Sequence, residues 1–321
     1  MKKILVLCLN PALDLSLLLP ALTLGKVNRA AQSRLDAAGK GFNVACVLAT
    51  LGHHVTLAGY LGADNAEPFQ IALIRAGVHD ALTRVPGSTR TNAKIAEADG
   101  RITDINGRGV TITPDRWQML CEHLANLREK PEVLIVSGSL PPGVSAATQA
   151  ELIRQIQSFD VPVWLDSSGS ALHEGIAAAP YLIKPNVDEL SEWAGHPLSD
   201  TPTRIAAADA AIAQGVSEVL LSLGGEGSIW RTREETWSAL PPSVKVISTV
   251  GAGDTMLAAT LHGALKRWTR RETLRYATAL SAECVRHIGV GNPNAEDFQE
   301  LYDQTLVAEG TDPQASPPTP S

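Results

Sequence analysis

The chain is short of positive charge. Its 27 Lys and Arg face 34 Asp and Glu, for a net charge of -7. That deficit argues against a general nucleic-acid binder, which presents a basic face to phosphates. It leaves room for an enzyme acting on anions, because a few cations converging on one site suffice. Long apolar runs are absent too. No stretch approaches the ~20 apolar residues needed to span a bilayer. Lys2 and Lys3 precede an apolar run, but Asn10, Pro11 and Asp14 interrupt it before a signal-peptide core is complete. Pro20 interrupts the next run, 15–24, in the same way. Cysteine is sparse: Cys8, Cys46, Cys121 and Cys284 stand far apart, with no metal or redox spacing. Reduced, mostly buried thiols in a cytoplasmic protein are the simplest account. The eight histidines show no metal spacing either, and His53 with His54 reads as a surface pair at a helix exit. The six tryptophans read as a mixture of core and surface residues, not as a stacking platform. No internal repeat is present.

What the chain does have is alternation. Its 321 residues, 44% of them hydrophobic, suffice for one large domain or two smaller ones. Short apolar runs at 4–9, 55–59, 133–137, 163–166, 181–184 and 219–222 predict buried strands. Amphipathic stretches at 43–51, 67–76, 114–127, 146–159, 187–194 and 204–214 predict helices. Strand and helix in turn imply βαβ units and a doubly wound, mostly parallel sheet. Ligands then belong at the carboxyl ends of the strands. Residues 15–35 and 88–105 break the pattern, being extended and punctuated by turns. The proline-rich tail, 311–321, predicts disorder.

The most informative run is 248–255 (STVGAGDT), followed at once by an apolar helical pattern. Glycines let the backbone turn tightly and aim successive N–H groups into one concavity. The helix adds its own unpaired N–H groups and the positive end of its dipole. Gly251, Ala252 and Gly253 would thus form an anion hole with Asp254 beside it. A carboxylate there can take a proton from an attacking hydroxyl. The same pattern also describes an ordinary turn with Asp as helix cap.

Other residues carry a second, plainer reading as well. Gly39 and Gly41 flank Lys40 ahead of a helix that starts near Phe42, with Asn43 on its first turn. The loop suits close approach of a ligand, a compact positive charge and a hydroxyl-binding amide, or it is a plain turn with a solvated lysine. Asp14 can accept bonds from two vicinal hydroxyls, or serve the turn after Pro11. Arg90, Asn92 and Lys94 alternate, so on a strand they share a face. Arg90 there is either a bidentate phosphate clamp or part of a solvated edge; Lys26 and Arg29 are weaker candidates of that kind. Asn186 and Glu189 stand at capping-box spacing.

Taken together, these pieces resemble one family. Residues 249–254 (TVGAGD) and 38–45 (AGKGFNVA) resemble the two glycine signatures of PfkB-type, ribokinase-like sugar kinases. The runs 10–14 (NPALD), 89–92 (TRTN), 137–141 (SGSLP), 184–189 (KPNVDE) and 222–227 (SLGGEG) follow in the family's order. Within it the 1-phosphofructokinases are most similar, and tagatose-6-phosphate kinases come next. The resemblance implies a ribokinase-like α/β domain over 1–310, with a small β lid from 12–36 and 86–108 that often pairs between subunits, hence a homodimer. It implies ATP-dependent phosphorylation of D-fructose 1-phosphate, with Asp254 as general base. It implies a sugar site of Asp14, Gly39, Lys40, Asn43, Arg90, Asn92, Lys94 and Ser139, Lys40 and Arg90 meeting the phosphate the sugar already bears. It implies ATP contacts from Lys184, Asn186, Ser222, Gly224, Gly227, Thr249 and Gly253, with adenine met by 277–291. It implies that Asn186 and Glu189 orient Mg2+ through water. Phosphorylation of tagatose 6-phosphate or fructose 6-phosphate is the enzymatic alternative, and a non-catalytic sugar-phosphate-binding regulator the other. Thr255 stands where many relatives have serine, a change that keeps the hydroxyl.

Overall fold

The computed structural model describes residues 3–127 and 129–311; the part of the expected disordered tail from 312 onward lies outside them. In chain order the elements are β1 (Lys3–Cys8), β2 (Ala12–Leu19), β3 (Gln32–Ala38), α1 (Lys40–Thr50), β4 (His54–Gly62), α2 (Glu67–Ala76), β5 (His79–Val85), β6 (Arg90–Glu97) and β7 (Ile102–Asn106). There follow α3 (Pro114–Ala125), β8 (Val133–Ser137), α4 (Ala146–Gln157), β9 (Val163–Asp166), α5 (Gly169–Ala177), β10 (Leu182–Ile183), α6 (Val187–Ala194), α7 (Thr201–Ala213) and β11 (Glu218–Ser222). The chain continues through β12 (Ser228–Thr232), β13 (Thr236–Leu240), α8 (Ala252–Lys266), α9 (Arg270–Cys284), α10 (Phe298–Gln304) and β14 (Leu306–Glu309).

Strand β1 shows why a sheet of this kind forms. Five of its six residues are apolar and buried, so both faces need cover. Ile4, Val6 and Cys8 join a core with α1, α2, α8 and α9. Leu5, Leu7 and Leu9 join another with α3, α4, α5 and α7. The large sheet runs β14-β13-β12-β11-β10-β9-β8-β1-β4-β5. From β11 to β5 every pairing is parallel, and β12, β13 and β14 are added antiparallel. From β1 the chain fills one side with β4 and β5, then the other with β8 to β11. The strand order therefore reverses between β1 and β8, where the carboxyl ends open a crevice. Asn10 leaves β1 there and Ser139 leaves β8.

The segments that broke the alternation form a second, four-stranded sheet, β3-β2-β6-β7. Its register sorts the side chains into two faces. Asp14 lies opposite Asn92, and Ser16 opposite Lys94. On the other face Leu35, Leu15, Ala93 and Ile105 make one row across all four strands.

Two expectations need correction. Helix α1 starts at Lys40, not near Phe42, because the Asn43 N–H already bonds the Gly39 carbonyl at 2.9 Å. His53 is not a surface residue. Its ring is buried, 2.9 Å from the ring of His262, which in turn packs on Trp268 and Tyr276. Only His54 is exposed. Burial holds His53 below the usual histidine value and, with His53 beside it, takes His262 down to about 4, so the pair is neutral near pH 7.

Candidate active site

Gly251 caps α8 with φ 85°, a left-handed conformation that a side chain would strain. This cap turns the chain so that α8 opens toward the crevice. The Ala252 N–H is turned back to the Thr249 carbonyl at 3.4 Å. The N–H groups of Gly251, Gly253 and Asp254 have no protein acceptor among the described residues. The open donors are thus Gly251, Gly253 and Asp254, and Ala252 drops out of the expected set. Serving one anion with several such N–H groups is what a helix N-terminus does well.

Asp254 sits in that first turn, 6% exposed, and accepts a 2.7 Å bond from the Asn43 side chain. Helices α1 and α8 pack side by side, so their first turns meet. Burial, then the nearby charge of Asp166, pushes Asp254 up to about 6 against the pull of Asn43, Lys40 and Lys184. A carboxylate poised there is basic enough to accept a proton and is still ionised at pH 7. Thr255 accepts from the Gly291 N–H at 3.1 Å, which ties the helix to the loop after α9.

Around this carboxylate lies a set of buried charges. Asp166 ends β9 and is fully buried. One of its oxygens meets the ammonium groups of both Lys40, at 3.1 Å, and Lys184, at 3.3 Å. Burial alone would raise Asp166, but the two lysines outweigh it and hold the carboxyl below its usual value. Its other oxygen, Oδ2, is buried without a partner. Lys184 follows β10, and its Nζ stands 3.2 Å from where a Cβ on Gly253 would be. That glycine is what lets an ammonium approach the anion hole. Lys40 also reaches Glu189 at 3.4 Å. The signal for Asp166 was legible: it is an acid closing an otherwise apolar strand, VWLD, at the carboxyl edge.

Asn186 and Glu189 form a complete capping box on α6, with bonds of 2.7 and 2.9 Å. Next to it Ser222 ends β11 and gives its N–H to Pro185. Gly224 and Gly227 bracket a single helical turn, Gly224–Glu226. Within 277–291, Ala277 to Leu280 are core residues of α9, so the stretch facing solvent begins after Cys284. Val246, Ile247, Val250 and Ile288 expose an apolar rim there.

On the sugar side, Gly39 and Gly41 press against Cys8, where an added Cβ on Gly41 would come within 2.8 Å. Asp14 accepts from Asn92 at 3.0 Å and pairs with Lys94 at 3.5 Å. Arg90 shares their face but is engaged. It donates to the carbonyls of Asn10, Pro11 and Gly107 and to the Ser139 hydroxyl. Asn10 adds bonds to Arg108, Ser139 and Leu140. Arg90 therefore ties the root of the small sheet to the β8 loop and stands beside the Ser139 hydroxyl. Lys40 is paired with Asp166 and Glu189 instead.

A model of the pfkB family of carbohydrate kinases matches residues 5–297. The chain belongs to that family. This pfkB-family kinase is 41% identical to a 1-phosphofructokinase of Vibrio cholerae over 96% of its length and 97% of the relative's. It is 41% identical to the Escherichia coli 1-phosphofructokinase over 90% of its length and 93% of that protein's. Escherichia coli phosphofructokinase-2, solved with substrates and products, superposes with a TM-score of 0.86 at 29% identity, covering 94% of this chain and 98% of that one. Arabidopsis thaliana ribokinase, at 24% identity and a TM-score of 0.78 over 94% and 99% of the two chains, shares the fold. No helix among the described residues is long and apolar enough to cross a membrane.

Proposed function

We infer that this carbohydrate kinase transfers the γ-phosphoryl group of ATP to the 6-hydroxyl of D-fructose 1-phosphate, giving fructose 1,6-bisphosphate. The observation that carries the reading is the buried Asp254 at the mouth of α8, beside open N–H groups and Lys184. Asp254 takes the proton of the hydroxyl as its oxygen bonds to phosphorus. The bond from phosphorus to the ADP oxygen breaks, and the N–H groups with Lys184 offset the charge on the phosphoryl oxygens. Ser222, Gly224, Gly227 and Thr249 line the nucleotide's approach, and the exposed apolar rim fits adenine.

The charges fit a divalent cation. Asp166, Glu189 and Asp254 against Lys40 and Lys184 leave the centre with no positive surplus for a triphosphate. The unpartnered Asp166 Oδ2 points to a missing positive or donor group. Among the described residues no three His, Cys, Asp or Glu side chains converge on one point. Mg2+ would thus be held mainly by phosphate oxygens and water, with Asp166, Asn186 and Glu189 orienting that water. When bound it supplies positive charge to the phosphate oxygens.

The small sheet acts as a lid that excludes water, with Asp14, Asn43, Asn92 and Lys94 reading the sugar and Ser139 with Arg90 near its phosphate. Its other face bears the row Leu35, Leu15, Ala93 and Ile105, with Leu35 and Ile105 about half exposed or more. A second copy covering that row gives a homodimer. The four free thiols suit a cytoplasmic setting.

The test is a side-by-side panel of fructose 1-phosphate, fructose 6-phosphate and tagatose 6-phosphate at fixed ATP and Mg2+. Ring hydroxyls left unpaired cost about 1–3 kcal/mol, so fructose 1-phosphate should lead in kcat/KM by roughly 5- to 150-fold. A win for either 6-phosphate would move the assignment to that sugar. Tight binding without turnover of any would favour a regulator.

A further inference from the structure

We propose that Lys40 serves the phosphoryl group in transfer and not the phosphate already on the sugar, held in place with Lys184 by the buried carboxylate of Asp166. This rests on the kinase reading above and assigns a different role to one of its residues.

The ammonium of Lys40 is held between two carboxylates. Its stem leaves the first turn of α1, and its Nζ lies 3.1 Å from Asp166 Oδ1 and 3.4 Å from Glu189 Oε1. Asp166 also meets Lys184, and Glu189 opens α6, the helix assigned above to the nucleotide's phosphates. Glu189 belongs to the first turn of α6, where its other oxygen closes the cap. Asp166 is shared with Lys184, whose Nζ stands against Gly253 in the anion hole. Two ammonium groups within hydrogen-bond reach of one oxygen must lie close together. An anion at Gly253 that meets Lys184 thus has Lys40 within a short reach. Arg90, beside Ser139 at the root of the small sheet, is the cation left for the phosphate already on the sugar.

The arrangement is also poised electrically. Asp166, then Glu189 and Asp254, raise the Lys40 ammonium above its ordinary value although burial opposes them, so it stays charged throughout the working range. Its side chain remains about one-third exposed, so a ligand can reach it. Asp166 is fully buried and fixed at a strand end. It therefore acts as a positioning residue, aiming two cations before any substrate arrives. Charges fixed in advance need no reorganisation as negative charge builds on the phosphoryl oxygens, which is where such groups accelerate a reaction most.

The experiment compares Lys40→Met and Lys40→Arg with the native enzyme in two assays. One is phosphorylation of fructose 1-phosphate and of unphosphorylated fructose. The other is the slow hydrolysis of ATP without sugar. Loss of one preorganised donor typically costs about 10²–10³ in kcat. Lys40→Met should lower kcat by that factor on both sugars and slow sugar-free hydrolysis as well, with little change in KM for fructose 1-phosphate. Lys40→Arg should recover part of the loss, because charge is kept while the fork misfits the two-carboxylate pocket. Thermal melts confirm that both variants fold. The proposal is overturned if Lys40→Met raises KM for fructose 1-phosphate but leaves fructose and sugar-free hydrolysis untouched, or if no assay changes. If the native enzyme prefers another ketohexose phosphate, the substrate reading fails instead, and sugar-free hydrolysis still tests Lys40.

Discussion

The carboxyl edge of the large sheet and the small sheet above it treat polar groups in opposite ways. At the edge, Asp166, Lys184 and Asp254 are almost wholly buried, and each is held by a residue distant in sequence. On the small sheet, Asp14, Asn92 and Lys94 are half-buried and satisfied by neighbours on adjacent strands. Buried charges interact strongly because little water screens them, and their positions change chemistry. Half-exposed groups exchange partners cheaply and suit a ligand that comes and goes. The edge is where rate should be sensitive, and the small sheet is where binding should be.

The sharpest way to break that contrast is Asp254→Asn. Removing a general base costs about 10²–10⁴ in rate, so kcat should fall by that much while circular dichroism stays native. The fold should also gain stability at neutral pH. Asp254 stands at about 6 in the folded protein, above the ordinary aspartate value, so the folded state holds that proton more tightly. Stability from this group is full below the lower value and lost as pH rises through the higher one. Asparagine removes that loss, and the melting temperature at pH 7 should rise. A lower melting temperature with native turnover would leave Asp254 a mere cap.

Asn43→Ala comes next. Its 2.7 Å bond favours the ionised base, and bonds to charged groups are worth about 1.5–3 kcal/mol. The kcat should drop roughly 10- to 150-fold. In the native enzyme kcat/KM should fall as pH drops through about 6, because protonation disables the base. In the variant that midpoint should move to higher pH. An unmoved midpoint would separate Asn43 from the base.

On the small sheet, Asp14→Ala should raise KM for the sugar phosphate by roughly 5- to 150-fold, the cost of unpaired hydroxyls, and leave KM for ATP unchanged. Equal effects on both ligands would erase the division of labour. The smallest effect on chemistry belongs to Leu35→Lys in the apolar row. Sedimentation velocity should show monomers where the native chain forms dimers, with kcat altered only a few-fold. A monomeric native chain would remove the dimer altogether.

Much of this molecule could be read in advance for a physical reason. Strands β8 and β9 and helices α2 and α6 lie where the sequence predicts them, because buried strands are uniformly apolar and helices announce caps and period. Helix α5 escaped notice, since the run GSALHEGIA with its two glycines lacks a helical signature. The edge strand β14 escaped because four residues, with only Val307 buried, carry no strong pattern. His53 was misread because the partner that makes it a core residue, His262, is remote in sequence.

Local chemistry, carried in short contiguous motifs, was determined by the sequence itself: a turn that needs Gly251, a helix that begins at Ala252, an acid in its first turn, an amide at Asn43. Which charges meet was decided only by the tertiary structure. Lys40, Asp166, Lys184 and Glu189 come from four separate elements, and nothing in any one of them specifies the others. Their juxtaposition follows from stacking parallel strands in an order that differs from the order of the chain, which brings every carboxyl end to one edge.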